Sequence, residues 1–141
     1  MTADCESEKG AAETILIIDT DLGFVFWLGH ALESAGYAAL PAKTTAAARE
    51  LIRDHKILVD ILVIDPLVPD VFDFVSELRR SRPSLRVIAA VREASGTPTA
   101  EADAEALKPL HLDGVAAIPW IDVIRTLSAA AGPKAAKLPG E

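Results

Sequence analysis

The sequence is poor in cysteine and in positive charge. One cysteine, Cys5, stands alone among 141 residues, so no internal disulfide can form. Fourteen Lys and Arg are outnumbered by 21 Asp and Glu, which gives a formal net charge of −7. That balance argues against binding to nucleic acid or to an anionic membrane surface. No apolar run reaches the roughly 18 residues of a spanning helix, and the polar, acidic start is unlike a signal peptide. We expect a cytoplasmic protein.

Features of common enzyme sites are also missing. A phosphate-binding loop after the first predicted strand would be rich in glycine, but "DTDLGF" contains only Gly23. The three histidines, His30, His55 and His111, lack the spacing of metal ligands, and none has a convincing Ser or Cys partner for nucleophilic catalysis. These absences predict that the protein is not an enzyme.

What the chain does contain is an alternation of strand-like and helix-like segments over residues 14–131, between an expected flexible leader (1–13) and an expected flexible tail (132–141). Five segments predict strands: Thr14–Ile18, Tyr37–Leu40, Ile61–Ile64, Leu85–Val91 and Val115–Ile118. Five predict helices: Leu22–Ala35, 44–54, Val71–Ser81, Thr99–Leu107 and Trp120–Ala131. Such βα units predict a doubly wound parallel sheet with helices on both faces.

Acidic side chains stand at the carboxyl ends of two buried strands. Asp19 follows "TILII", and Asp65 follows "ILVI". In an open α/β sheet the ligand site lies beyond these strand ends, so the two carboxylates converge if the strands are neighbours. Converging carboxylates repel and need a cation, and oxygen ligands suit Mg²⁺. Asp21 is equally suited to be a further ligand or the N-cap of the next helix.

The order and spacing of "ILIIDTD", "ALESAGY", "ILVIDPLVP" and "LRRSRPSLRVIAA" resemble the receiver domain of bacterial response regulators in two-component phosphorelay systems. The resemblance covers roughly residues 14–131. It implies a flavodoxin-like five-stranded sheet in the order 2-1-3-4-5, with Asp65 as phosphoacceptor. It also implies Mg²⁺ held by Asp19, Asp65 and the backbone carbonyl of Leu67, with Asp21 as a substitute ligand. The implied partner is a sensor histidine kinase, a phosphotransfer protein or another signalling protein.

Three positions depart from the receiver pattern. Thr20 stands where receivers have a second acid that binds the metal directly. Val91 stands where the fourth strand usually ends in Thr or Ser, and valine cannot donate a hydrogen bond. Ile118 precedes Pro119 where the family has Lys-Pro after the fifth strand. These departures predict a degenerate switch site, typical of an atypical or pseudo-receiver.

Aromatic residues are few, yet three of them suggest a partner surface. On a helical wheel Phe26 points away from the core residues of its helix, and Trp27 falls outside their arc. Trp120 begins the last predicted helix, which lies beside the first in this fold. We expect these three side chains to form a protein–protein surface, because clustered exposed aromatics are uncommon without a partner.

The sequence therefore predicts a stand-alone signal-transduction domain that acts by protein–protein interaction, with phosphorylation at Asp65 and an impaired conformational response. Two alternatives stay open: a phosphate-independent pseudo-receiver adaptor, and a small flavodoxin-like enzyme or nucleotide binder. A homodimer is compatible with the hydrophobic helix surface.

Overall fold

A computed structural model describes residues 13–93 and 101–131, without the side chains of 129–131. Its elements are β1 (Thr14–Ile18), α1 (Leu22–Ser34), β2 (Ala38–Ala42), α2 (Thr45–His55), β3 (Ile61–Ile64), α3 (Val71–Ser81), β4 (Arg86–Val91), β5 (Ala104–Leu107) and α4 (Ala117–Ala131). The predicted leader and tail lie outside these residues, except for Glu13. None of the helices in the described ranges is long and apolar enough to cross a bilayer.

The five strands form one parallel sheet in the order β2-β1-β3-β4-β5. The predicted doubly wound, flavodoxin-like sheet is therefore confirmed. β1 and β3 are direct neighbours, with Ile18 paired to Ile64, so the residues that follow them start level with each other. This register decides where the strand-end aspartates lie.

The alternating side chains of the strands divide the core into two layers. Ile15 and Ile17 of β1 pack with Phe24 and Leu28 of α1 and with residues of α4 on one face of the sheet. The intervening strand residues pack on the other face, against α2 and α3. Helices on both faces leave β1 and β3 almost entirely buried, which explains their unbroken aliphatic sequences.

Side-chain caps set the start of the first two helices. The Asp21 carboxylate accepts a hydrogen bond from the backbone N–H of Phe24, and the Thr44 hydroxyl accepts one from that of Ala47. α3 instead begins after Asp70, which has a left-handed backbone (φ 64°) and makes no such cap.

Two predicted elements near the end of the chain are wrong. Residues 104–107 form the fifth strand rather than part of a helix, and Val115–Ile118 contains no strand, because α4 already begins at Ala117. The alanine and glutamate of "AEAL" favour a helix locally, but pairing with β4 overrides that preference. Between β4 and β5, the described residues 92, 93 and 101–103 include no helix.

The second strand extends beyond the predicted end at Leu40. β2 continues through Pro41 to Ala42, with Pro41 in register with Ile17. β2 lies at the edge of the sheet, where a residue without a backbone N–H is tolerated.

Candidate functional site

The carboxyl ends of β1 and β3 bring Asp19 and Asp65 together, as the sequence predicted, since both carboxylates lie within 3.1 Å of the same ammonium, that of Lys108. The backbone N–H of Asp65 donates to the carbonyl of Ile18, 3.0 Å away, which fixes the two strand ends side by side. Asp19 is 1% exposed, whereas the side chain of Asp65 is 15% exposed. Asp65 is therefore the carboxylate that a reactant from solvent would reach.

A lysine that the sequence analysis missed lies between these carboxylates. The Nζ atom of Lys108 is 2.7 Å from Asp19 Oδ2 and donates a 3.1 Å hydrogen bond to Asp65 Oδ2. The contact to Asp19 is close, but its angles are not those of a hydrogen bond, since Oδ2 of Asp19 has no hydrogen-bond partner among the described residues. The Lys108 side chain is 5% exposed, and its ammonium lies 5.3 Å from the centre of the Phe24 ring. One buried cation thus compensates two carboxylates.

Lys108 occupies the place that was predicted for Ile118. It follows β5 directly, and its backbone N–H donates to the carbonyl of Val91 at the end of β4. Ile118 instead lies in the first turn of α4, with 55% of its surface exposed. The prediction that Ile118 follows the fifth strand is therefore wrong. The signal in the sequence is the dipeptide Lys108-Pro109, which directly follows "AEAL", a segment whose local preference is for a helix.

Asp21 is engaged at the mouth of the site. Its backbone N–H donates to Asp19 Oδ1 over 2.9 Å, and its Oδ1 atom caps α1 through Phe24. Its Oδ2 atom lies 3.4 Å from a guanidinium nitrogen of Arg92, a second residue that the sequence analysis did not single out. Of the two roles that the sequence left open for Asp21, the structure shows the N-cap, and the role of metal ligand stays a prediction.

The remaining predicted site positions surround this cluster. Thr20 is exposed, directly beside Asp19 in the chain. Val91 is half-buried at the end of β4. Leu67 exposes 89% of its surface, and its backbone N–H donates to Asp65 Oδ1 over 2.9 Å. Asp65 is thus held through both oxygens, by Leu67 and Lys108.

The residues present do not make a complete divalent metal site. In the described part of the chain, no group of three or more His, Cys, Asp and Glu side chains is placed to hold an ion. Asp19 and Asp65 share the ammonium of Lys108, and Asp21 is held by Phe24 and Arg92. Mg²⁺ binding through Asp19, Asp65, Asp21 and the carbonyl of Leu67 stays a prediction.

The three aromatic residues predicted to form a partner surface differ in burial, and only one of them is largely exposed. Trp120 is 2% exposed, packs against the Phe24 ring, and donates its indole N–H to the carbonyl of Leu107, so its prediction as a surface residue is wrong. Trp27 is half-buried, and its indole N–H donates a hydrogen bond to the carbonyl of Asp113. Phe26 alone of the three is largely exposed, at 63%.

Comparison with known proteins rests on structure. No family model matches the sequence, and no curated protein matches it. Solved structures do match, at low identity. The response regulator TrrA of Thermotoga maritima, in complex with Mg²⁺ and beryllofluoride, is 17% identical with a TM-score of 0.64, over 82% of this chain and 98% of that one. The chemotaxis response regulator CheY4 of Vibrio cholerae is 19% identical with a TM-score of 0.67, over 82% and 98%. A response regulator receiver protein of Sinorhizobium medicae is 21% identical with a TM-score of 0.66, over 85% and 97%. The chain has the fold of response regulator receiver domains.

Proposed function

We propose that this protein is a signal-transduction domain that accepts a phosphoryl group on Asp65 and acts by binding another protein. The observation that carries the proposal is the position of the Lys108 ammonium, 2.7 Å from Asp19 and 3.1 Å from Asp65, at the carboxyl ends of β1 and β3. A partly exposed carboxylate paired with a buried cation suits transfer of an anionic group, since the cation offsets charge on the transferring oxygens.

The transfer step follows from the environment of Asp65. One carboxylate oxygen forms the bond to phosphorus, while the bond between phosphorus and the donor, a phosphohistidine or a small acyl phosphate, breaks and the donor leaves with that electron pair. The Leu67 N–H holds Oδ1, and Lys108 holds Oδ2. Lys108 then exchanges its hydrogen bond to Asp65 for one to a phosphoryl oxygen, because that oxygen is a charged acceptor at the same place.

Lys108 also links the site to a surface. It begins the connection from β5 to α4, in which Leu110 and Val115 expose 95% and 75% of their surfaces, and Ile118 continues this apolar surface into α4. Exposed aliphatic side chains at this density favour a protein partner. Phosphorylation would move the Lys108 ammonium and thereby change this surface. That route does not need a hydroxyl group at the end of β4, where this chain has Val91.

The second candidate is a phosphate-independent adaptor. It is favoured by the same ion pairs, because Lys108 already compensates Asp19 and Asp65, and Thr20 and Val91 supply neither the metal ligand nor the hydroxyl donor of a receiver. In that case the cluster would hold one fixed conformation and would take no phosphate.

Incubation with acetyl phosphate, with and without Mg²⁺, followed by intact mass measurement, separates the two candidates. We expect the wild type to gain one phosphate, and Asp65→Asn to gain none. Asp70→Asn is the matched control, because Asp70 is exposed and asparagine tolerates its left-handed backbone. Absence of uptake by the wild type under both conditions would reject phosphorylation and leave the adaptor.

A further inference from the structure

We propose that Arg92 is an anion-binding residue of this site. When Asp65 carries a phosphoryl group, the Arg92 guanidinium gives up its ion pair with Asp21 and binds that group instead. The proposal rests on the proposed function and names a residue that determines how the site holds its phosphoryl group.

The path of the Arg92 side chain is the first observation. Arg92 directly follows β4, and its guanidinium lies 3.4 Å from Asp21, which follows β1. Because β3 lies between β1 and β4 in the sheet, a side chain that joins these two strand ends crosses above the end of β3. Asp65 is the first residue after β3. The ion pair of Arg92 with Asp21 therefore lies at the same edge of the sheet as Asp65 and passes above the end of β3.

The weakness of the existing ion pair is the second observation. The side chain of Arg92 is 72% exposed and that of Asp21 is 40% exposed, at a long separation of 3.4 Å. Exposed pairs of this kind contribute little to stability. A phosphoryl group carries more charge than a carboxylate and presents oxygens that match the planar guanidinium, so it competes well for Arg92.

The net charge of the cluster formed by Asp19, Asp65 and Lys108 is the third observation. Asp19, Asp65 and Lys108 together carry one net negative charge, and a phosphoryl group on Asp65 adds more. The described residues provide no complete metal site to offset it. Arg92, which follows β4 and reaches Asp21 after β1, can supply positive charge from the β4 side of Asp65.

The test is the affinity of the purified full chain for beryllofluoride, an analogue of a phosphoryl group on a carboxylate, measured by calorimetry without Mg²⁺ and at one fixed Mg²⁺ concentration for every variant. We expect Arg92→Ala to weaken binding about tenfold, as for loss of one charge-assisted hydrogen bond, and Arg92→Lys to recover part of that loss. Asp21→Asn should act in the opposite direction and tighten binding, because it releases Arg92 while asparagine still caps α1. If Arg92 served only to pair with Asp21, both substitutions would weaken binding alike.

The matched control is Arg53→Ala, which removes the same charge from a similar ion pair. Arg53 is 69% exposed and lies 3.2 Å from Asp54, near the carboxyl end of α2. That end faces the opposite edge of the sheet from the site, because a crossover helix runs back against its strands. If Arg92→Ala binds beryllofluoride as tightly as wild type and Arg53→Ala do, the role of Arg92 is overturned and the proposed function is not. A wild type that neither binds beryllofluoride nor gains phosphate on Asp65 would overturn the proposed function, and this inference with it.

Discussion

Replacing Lys108 by methionine tests the central ion pairs of the site. The substitution keeps the apolar stem against Phe24 but removes the ammonium that lies 2.7 Å from Asp19 and 3.1 Å from Asp65. Removing one partner of a buried ion pair costs about 3–5 kcal/mol, because the remaining charge is left uncompensated. Asp19 retains one hydrogen bond and Asp65 is partly open to solvent, so we expect the lower end, about 3 kcal/mol.

The measurement is urea unfolding followed by tryptophan fluorescence, in the absence and presence of Mg²⁺. In the absence of the ion, Lys108→Met should lower the free energy of unfolding by that amount, whereas Lys43→Met, at an exposed lysine, should change it by less than about 0.5 kcal/mol. Added Mg²⁺ should stabilise Lys108→Met more than wild type, because a divalent cation then replaces the ammonium. Equal stability of Lys108→Met and wild type without Mg²⁺ would refute the assignment of Lys108 as the compensating charge.

Two further predictions concern the metal and the surface. Thr20→Asp places a second carboxylate beside Asp19 and should tighten Mg²⁺ binding by about tenfold in a calorimetric titration, whereas Ser81→Asp, at the far end of α3, should leave it unchanged. An equal effect of both substitutions would show that only net charge matters. The Arg49 guanidinium, through its hydrogen bonds, holds the pKa of Glu77 below its ordinary value of 4.5, so this pair stabilises the fold above that pH and loses the effect as the pH falls through the lowered pKa. Both side chains are well exposed, so in urea unfolding Glu77→Gln should cost no more than about 0.5 kcal/mol near neutral pH, and this cost should shrink as the pH is lowered below 4.5; a cost that stays constant on acidification would contradict the sign.

Much of the fold could be predicted because the central strands are chemically unambiguous. "TILII" and "ILVI" are short aliphatic sequences, and each is followed by an aspartate. Strands of that kind are buried on both faces of a parallel sheet, and the carboxyl ends of neighbouring parallel strands share one edge. The meeting of Asp19 and Asp65 followed from this pattern, and the register of β1 with β3 confirms it.

The sequence by itself determined the alternation of elements as far as β4, the two central strands and the meeting of Asp19 with Asp65, because hydrophobic burial dictates these wherever the chain is strongly patterned. Only the tertiary structure decided that "AEAL" is the fifth strand. Its alanine and glutamate residues prefer a helix locally, but hydrogen bonds to β4 hold the segment as a strand. That pairing places Lys108 against the two carboxylates. Packing likewise decided that Trp120 is buried, because its ring fills the space beside Phe24 and its indole N–H finds the carbonyl of Leu107. Long-range pairing and packing depend on which surfaces the rest of the chain leaves open, and local sequence does not contain that information.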